Sequence, residues 1–456
     1  MYTLIAIAAL GVLCLIAEIF NGRKAIVPIT IVGLLAILGL TATGFNDSAD
    51  TYNNMIVFDK FATTFSCLFM ILTIFLVALT PSFHAKQLHK ISDFVSIKLF
   101  LLTGAVAMVS FGNLSMFFLG IEILSIALYV LAASDRLSLK SNEAGMKYFL
   151  MGAFASGFIL FGIALIYGAT GSFDMATITE AGSSADVEDW FYIGAILLSI
   201  GMLFKVAAAP FHFWAPDVYE GSPALTTALM STLAKVVAMA AFFKLVGAMN
   251  VNLPSSSSTV IIVISILSMS IGNIMALRQT NVKRMLAFSG ISHAGFMLMT
   301  LLAVTTSAGV LLYYTSAYAF AGIAAFSVVL YVTKDKDNED IFNFNGLGKT
   351  SPLLAGILTC SLLSMAGIPI FSGFFAKVFL FGQMLNSGHL VLVIFAVVNS
   401  IISVGYYFKL ILAMYTKDAT EEARPVPFVY HAVATLAIAL NIAIGLYPSF
   451  LLDLFN

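Results

Sequence analysis

The stretch GMLFKVAAAPFHFWAPDVYEG, residues 201–221, begins as an apolar helix but contains Lys205 and, five residues later, Pro210. Proline has no N–H, and its ring clashes with the carbonyl four residues earlier, which leaves the Val206 carbonyl without its helical partner. In a lipid bilayer such a break is tolerated only where protein or water satisfies the freed polar groups. The stretch therefore predicts a broken helix beside a polar interior.

The composition of the whole chain indicates that this helix lies in a membrane. Hydrophobic residues make up 60% of the 456 residues and charged residues 10%, and the mean hydropathy is +1.01. Apolar runs of about 20 residues, each long enough to cross a bilayer as a helix, recur along the chain. We expect an all-α polytopic membrane protein with a single membrane-embedded domain, 1–456, whose first helix is retained and is not a signal peptide.

The positions of the charges predict the topology of these helices. Six odd-numbered loops are basic, whereas even-numbered loops such as residues 43–54 and 171–189 lack lysine and arginine between their helices. This alternation favours an even number of spans, periplasmic termini and a cytoplasmic loop 134–147. The fourteen predicted spans are centred near residues 11, 33, 68, 103, 123, 156, 200, 235, 268, 294, 321, 368, 402 and 440.

A second interrupted helix is predicted at AGIPIFSGFFAK, residues 366–377, where Pro369 frees the carbonyl of Met365. Five helices separate the two breaks, so spans 7 and 12 cross the membrane in opposite directions. This arrangement favours two inverted five-helix units, as in many transporters. The predicted segments are three N-terminal helices at 1–93, a first unit (spans 4–8) at 94–247, a second unit (spans 9–13) at 258–416 and a last helix at 427–456.

Few ionisable side chains are predicted to lie deep in the spans. Placing a charge at the centre of a bilayer costs about 2.5 to 3.5 kcal/mol. Several such charges therefore suggest a row of functional groups. The deep residues are Glu122, Lys205, Lys235, His293 and Lys377. Charged residues near the predicted span ends are interpreted as structural because long side chains reach the interface there; they are Glu18, Asp59, Lys60, Lys98, Lys244 and Lys409.

A row of buried titratable groups can carry protons. Burial favours the neutral form of a lysine and a nearby carboxylate favours its charged form, so a change in their separation can load and unload a proton. The sequence leaves simpler roles open: Glu122 and Lys205 could form a structural ion pair, and His293 could be a hydrogen-bonded core histidine. His212, beside the first break, could be an entry group or a helix cap.

The sequence gives no sign of a bound metal or redox group. Cys14, Cys67 and Cys360 lie within apolar runs without CxxC or disulfide spacing, and act there as small apolar residues. Nucleotide-binding glycine loops and haem-attachment motifs are absent from the sequence. The net charge of −1 does not suggest a nucleic-acid partner. We expect no cofactor in this chain.

Long motifs identify a family resemblance. Residues 205–242, together with NVKRMLAFSGISHAGF (281–296), AGIPIFSGFFAK (366–377) and GYYFKLILAMY (405–415), resemble the proton-antiporter-like membrane subunits of respiratory complex I, NADH:quinone oxidoreductase. FHFWAPDVYEGSP is similar to the subunit N type, named subunit 2 in mitochondria and plastids. The resemblance covers essentially the whole chain. It implies fourteen helices with two inverted units, and proton transfer by Glu122, Lys205, Lys235 and Lys377; subunit M typically has glutamate in place of Lys377.

The resemblance implies a proton-translocating subunit in the bacterial inner membrane. Its partners would be the lipid bilayer and the other membrane-arm subunits of the complex, and NADH, FMN, iron–sulfur clusters and quinone would be bound elsewhere in that complex. Two alternatives remain open from the sequence. One is a subunit of a multisubunit cation/proton antiporter, and the other is a passive subunit that anchors its neighbours.

Overall fold

The computed structural model describes residues 1–20, 22–44, 50–52, 54–182, 189–249, 255–334, 336, 338–419 and 425–455. Parts of three lysine-free loops (43–54, 171–189 and 250–258), and Arg424 of the basic loop before the last helix, lie outside these residues. The chain divides into two compact units. Unit 1 comprises Met1–Trp214 with Leu233–Val260, and unit 2 comprises Ala215–Thr232 with Ile261–Asn456.

Helices dominate the described residues. The first ten are α1 Tyr2–Ile19, α2 Arg23–Thr43, α3 Lys60–Phe83, α4 Ile91–Val109, α5 Leu114–Ala132, α6 Leu139–Thr170, α7 Met175–Gly182, α8 Asp189–Lys205, α9 Trp214–Gly221 and α10 Ala224–Leu229. The next ten are α11 Lys235–Met249, α12 Ser255–Leu277, α13 Val282–Leu298, α14 Ala308–Val332, α15 Leu347–Thr350, α16 Pro352–Ala366, α17 Ser372–Asn386, α18 Leu390–Thr416, α19 Phe428–Leu446 and α20 Ser449–Leu452. A short antiparallel hairpin, β1 Asp50–Tyr52 and β2 Ile56–Phe58, precedes α3.

The helices confirm the predicted all-α polytopic fold. Twelve helical segments of the described chain are at least 18 residues long and apolar enough to cross a membrane, and they occupy twelve of the fourteen predicted positions. At the other two positions the chain forms shorter helices that end at a break: α8 has 17 residues, and α16 and α17 have 15 each. The count of fourteen spans and the inverted repeat stay predictions.

In unit 1, local polar groups define where the helices begin. Asp59 caps α3 by accepting the Ala62 N–H at 2.7 Å, and Asn113 caps α5 by accepting the Met116 N–H at 2.8 Å. Each cap satisfies one of the free N–H groups at a helix start. Helices α6 and α8 approach closely at two glycines: a Cβ on Gly162 would lie 2.7 Å from the carbonyl oxygen of Gly194.

In unit 2, α13 and α14 form the most buried part of the fold, since nearly every side chain of both helices is shielded from solvent. Asn281 caps α13 by accepting the Arg284 N–H at 3.0 Å. Helices α12 and α18 instead expose many large apolar side chains. Such faces suit contact with lipid or with apolar protein partners.

Both predicted breaks are present, and each contains a non-glycine residue with positive φ. The first separates α8 from α9 and includes Ala207 at φ 58°; the second separates α16 from α17 and includes Ile370 at φ 91°. Such a conformation is unusual for a non-glycine residue and most unusual for a β-branched one. Strained backbone of this kind tends to cluster at functional sites.

A further irregularity, which the sequence did not predict, lies between α10 and α11. Residues Met230–Ala234 form a π-helix immediately before Lys235. A π-turn widens the helix by one residue and is common at functional sites. The candidate proton-transfer residue Lys235 therefore begins a new α-helical segment and does not lie within a regular helix.

Candidate functional site

Glu122 lies in the middle of α5 and is half-buried in unit 1. Its carboxylate oxygen Oε1 accepts a hydrogen bond of 2.5 Å from the Ser156 hydroxyl of α6. A hydrogen bond from a hydroxyl to a carboxylate is shorter and stronger than one between two neutral groups. The serine therefore gives the carboxyl group of Glu122 a neutral hydrogen-bond donor.

Lys205 is the last residue of α8, and its Nζ donates to the hydroxyl of Ser125 at 2.7 Å. Ser125 lies on α5, three residues after Glu122, so the lysine and the carboxylate face the same short section of this helix. The ammonium also lies 5.9 Å from the centre of the Tyr129 ring. Among the described residues Lys205 and Glu122 form no direct ion pair; each is hydrogen-bonded to a different serine.

Protein side chains satisfy and cover the polar backbone at the break after Lys205. The Trp214 indole N–H donates to the carbonyl of Phe204 at 3.0 Å, and the Trp214 ring stacks on Tyr148 with centroids 4.6 Å apart. His212 is buried in the same segment, and its Nδ1 has no hydrogen-bond partner among the described residues. A buried nitrogen with an open position fits a proton relay better than a helix cap.

Lys235 is 3% exposed at the start of α11 in unit 1. Within the part of the chain that the structure describes, neither Glu122 nor Lys205 is hydrogen-bonded to Lys235. The π-helix that precedes it makes the local backbone the least regular part of its span. The structure thus places Lys235 in the same unit as the other two residues, but on a separate helix.

Lys377 on α17 occupies the second break. Its buried ammonium donates to the carbonyls of Ala366 at 2.7 Å and Met365 at 3.2 Å, and to the Ser400 hydroxyl at 2.8 Å. These two carbonyls lie at the end of α16, where the helix stops and its last carbonyls lack helical partners. The lysine therefore supplies the donors that the break requires. Its side chain also fills the space beside Gly367, where a Cβ would lie 3.1 Å from Nζ.

His293 on α13 is 5% exposed and hydrogen-bonded through both ring nitrogens. Its Nδ1 lies 2.9 Å from the Tyr314 hydroxyl and its Nε2 3.3 Å from the Tyr407 hydroxyl. The Tyr407 hydroxyl also lies 2.5 Å from the Ser289 hydroxyl. A neutral imidazole donates a hydrogen bond from one nitrogen and accepts one at the other. The donors and acceptors along this row of hydroxyls and imidazole can therefore exchange roles.

A small cavity joins His293 to the second break within unit 2. Its volume is about 10 Å³, and His293, Tyr314, Ser364 and Met365 are among the residues that line it. This volume is close to the minimum needed for one water molecule. Since the Met365 carbonyl on its wall accepts from Lys377, a single water would lie between the histidine and the lysine's hydrogen-bond partners.

Six hydroxyl side chains that the sequence did not single out take part in the hydrogen bonds around these ionisable groups. They are Ser125, Ser156, Ser289, Tyr314, Ser400 and Tyr407. The only sequence signal was the helical spacing of Ser125 to Glu122 and of Ser289 to His293. Serine and tyrosine are too common in membrane helices for such spacing to decide a role.

The prediction that Lys98 lies near a span end is wrong. Lys98 is the eighth residue of α4 and is 2% exposed. Its Nζ donates to the Thr80 hydroxyl at 2.9 Å. The charge pattern did not indicate the depth of Lys98 because a short 3₁₀ segment, Ala85–Lys90, joins α3 to α4 and contains the loop's basic residues. The helix therefore begins earlier than the charge pattern suggested.

Comparison with known proteins identifies the relatives of this chain. Residues 112–403 match the protein family described as "NADH:quinone oxidoreductase/Mrp antiporter, TM". The NADH-quinone oxidoreductase subunit N of Flavobacterium johnsoniae is 69% identical, and the alignment covers 100% of both chains.

Solved structures give the same fold. A chain of respiratory complex I from Thermus thermophilus with bound Aureothin is 30% identical with a TM-score of 0.87, covering 99% of this chain and 98% of that chain. A chain of the Mrp complex from Dietzia sp. DQ12-45-1b has a TM-score of 0.90 at 21% identity, covering 99% and 95%. At this identity the Mrp similarity concerns the fold alone.

We predict that Trp214→Phe destabilises the first break. Phenylalanine keeps the stacking on Tyr148 but removes the donor to the Phe204 carbonyl, which should lower the free energy of unfolding by about 1 to 3 kcal/mol. Trp190→Phe is the matched control because Trp190 is the other tryptophan of the chain and is 56% exposed. Thermal unfolding of the two variants in detergent checks this; equal melting temperatures would contradict it.

Proposed function

The chain belongs to the NADH-quinone oxidoreductase subunit N family, and we propose that it translocates protons across the membrane while other subunits of that complex pass electrons from NADH to quinone. The proton-transfer groups are Glu122, Lys205, Lys235 and Lys377, with His293 as a relay and His212 as a relay or entry group. Each is deep in the protein or beside a broken helix, where an unused charge would be costly.

One observation carries this proposal: the Lys377 ammonium caps the end of α16 beside a water-sized cavity that His293 also lines. A lysine in this position has two states. When charged it is held by the two carbonyls and the Ser400 hydroxyl, and when neutral it can still donate to a carbonyl and accept from water. The break thus binds the lysine in either state, which a proton-transfer group needs.

The pair in unit 1 supports the same proposal by a different geometry. Glu122 is bonded to Ser156 and Lys205 to Ser125, so each charge has a neutral partner of its own. A direct ion pair would hold the two charges together, whereas hydroxyl partners leave the charge of each free to change. The break that follows Lys205 gives its helix end freedom to move relative to α5.

We further propose that this chain carries no redox group. The three cysteines lie on three different helices, α1, α3 and α16, and the sequence has no CxxC spacing among them. NADH, FMN, the iron–sulfur clusters and quinone would then be bound by partner subunits. The exposed apolar faces of α12 and α18 are suited to the lipid of a bacterial inner membrane and to membrane-arm subunits.

The cation/proton antiporter alternative has weaker support. The Mrp chain resembles this one in fold at 21% identity, whereas the subunit N relative is 69% identical over its full length. Fold similarity does not determine function. The passive-anchor alternative predicts that neutral substitution of the buried charges leaves proton pumping intact, and the variants below test that directly.

We predict that Lys377→Arg abolishes most proton pumping while the complex still assembles. Arginine keeps a cation and several donors for the Met365 and Ala366 carbonyls, but it does not release its proton. Pumping per NADH oxidised, measured in reconstituted vesicles, should fall at least five-fold. Lys349→Arg is the control, because Lys349 is 65% exposed in an ion pair with Asp418.

Pumping by Lys377→Arg at the level of the Lys349→Arg control would contradict the proton-transfer role. Loss of the assembled complex would favour a purely structural role for the cap. Lys377→Met is a poorer test, since it removes the donors to the two carbonyls as well as the titratable group.

We predict that Glu122→Gln suppresses pumping several-fold together with coupled NADH–quinone turnover. Glutamine keeps an acceptor for the Ser156 hydroxyl but removes the charge that acts on Lys205. Glu122→Asp should retain part of both activities, because the charge remains on a side chain one methylene shorter. Proton uptake and quinone reduction are measured in the same vesicles. Full pumping by the glutamine variant would contradict the proposed role of Glu122 and Lys205.

We predict that the termini are periplasmic and that the loop before α6 is cytoplasmic, from the alternation of basic loops. In a chain without its native cysteines, Asn54→Cys should react with an impermeant maleimide in intact spheroplasts. Leu137→Cys should react only after lysis; Leu137 is 98% exposed. The opposite labelling pattern would reverse the proposed orientation.

A further inference from the structure

Lys98 is a buried lysine that the proposed pathway does not use. It is 2% exposed in unit 1, and its only hydrogen bond among the described residues goes to the Thr80 hydroxyl, which itself donates to the Leu76 carbonyl. One acceptor leaves two N–H groups of an ammonium unsatisfied, which is costly for a buried charge. The site is better suited to a lysine that is neutral part of the time.

His84 follows the last residue of α3 and lies near enough to Lys98 for the lysine's charge to act on it. It follows Thr80 by one helical turn, and its ring stacks on Phe94 with centroids 3.8 Å apart and planes 11° apart. Phe94 in turn precedes Lys98 by one turn of α4. The half-buried imidazole thus lies at the end of α3 and contacts the part of α4 that carries Phe94 one turn before Lys98.

The imidazole is suited to pass a proton on without keeping it. Burial, and secondarily the charge of Lys98, lowers the pKa of His84 to about 3. The ring is therefore neutral near pH 7, with one nitrogen that accepts and one that donates. A proton taken up at one nitrogen can leave from the other to the Lys98 amine, which becomes an ammonium.

Lys98 lies at about the same depth as Lys235. At the far ends of α4 and α11, the Lys244 ammonium donates to the Val109 carbonyl at 2.8 Å, which fixes the register of the two helices. Lys235 is nine residues before Lys244, and Lys98 is eleven before Val109. For parallel helices at about 1.5 Å per residue, these two backbone separations differ by about 3 Å.

Other charged groups near α4 leave Lys98 without an ion-pair partner. The elements that pack against α4 are α1, α2, α3, α5, α11 and the 3₁₀ segment Ala85–Lys90. Within the described residues none of their charged or histidine side chains is bonded to Lys98; these are Glu18, Arg23, Lys24, Lys60, His89, Lys90, Glu122, Lys235 and Lys244. Glu18 is paired with Arg23, and Lys244 with Asp59.

We propose that Thr80, His84 and Lys98 form a proton-loading site, filled through His84 from the membrane face where α3 ends, that supplies the transfer pathway at the level of Lys235. The inference rests on the proposed proton-translocating function. It assigns α3, which precedes the first five-helix unit, a part in proton uptake. Thr80 holds the amine in place, His84 relays the proton and Lys98 stores it.

The test compares variants in the assembled complex. Lys98→Arg keeps a cation but cannot release a proton, and Lys98→Met removes the titratable group while retaining most of the side-chain volume. His84→Phe keeps the stacking on Phe94 but removes the relay. We expect each to lower pumping per NADH oxidised at least two-fold with the complex still assembled. Lys349→Met and Lys349→Arg are the matched controls.

Pumping by Lys98→Arg and His84→Phe equal to the controls would overturn the inference, whatever the stability of Lys98→Met. Loss of assembly in Lys98→Arg together with full pumping in His84→Phe would also overturn it, because Lys98 would then be structural. Lys377→Arg, measured in parallel, distinguishes failure of the loading site from failure of the proposed proton-translocating function. Pumping lost in Lys377→Arg but kept in the Lys98 and His84 variants rejects only this loading site, whereas pumping kept in all of them rejects the proposed function.

Discussion

A backbone carbonyl that loses its helical partner inside a membrane must find another donor within the protein, and this constraint governs both broken helices of the chain. At the end of α16 the donor is the Lys377 ammonium, which reaches back to the Met365 and Ala366 carbonyls. The lysine is tolerated in apolar surroundings because the break offers it acceptors. The break is tolerated because the lysine offers it donors.

The two breaks meet this constraint differently. In unit 1 the indole of Trp214 donates to the Phe204 carbonyl, so Lys205 is released to bond Ser125 on α5. In unit 2 the lysine itself is the cap. A lysine that is not needed as a cap can change its partner at lower cost, whereas Lys377 must gain a water when it leaves the carbonyls. The water-sized cavity beside Met365 lies where such a water would be required.

The sequence predicted the elements that depend on strong local rules. Pro210 and Pro369 located the breaks, because proline removes a backbone donor whatever its surroundings, and the apolar runs located the long helices. The depth of Lys98 and the π-helix before Lys235 were missed. Both depend on how neighbouring segments pack: a 3₁₀ turn shifts the start of α4, and the π-turn has no proline or glycine to mark it.

Most of the site's hydrogen-bond partners could not be predicted for a different reason. Hydroxyls such as Ser125, Ser156 and Tyr407 carry no charge, so placing them in a membrane helix costs little and their position says little about function. Their value appears only when folding brings them to a titratable group. A neutral hydroxyl can donate to a carboxylate and accept from an ammonium, and it stabilises either partner without fixing its protonation state. Under the proposed function such partners suit Glu122 and Lys205, because each side chain is hydrogen-bonded to its own serine and not to the other charge.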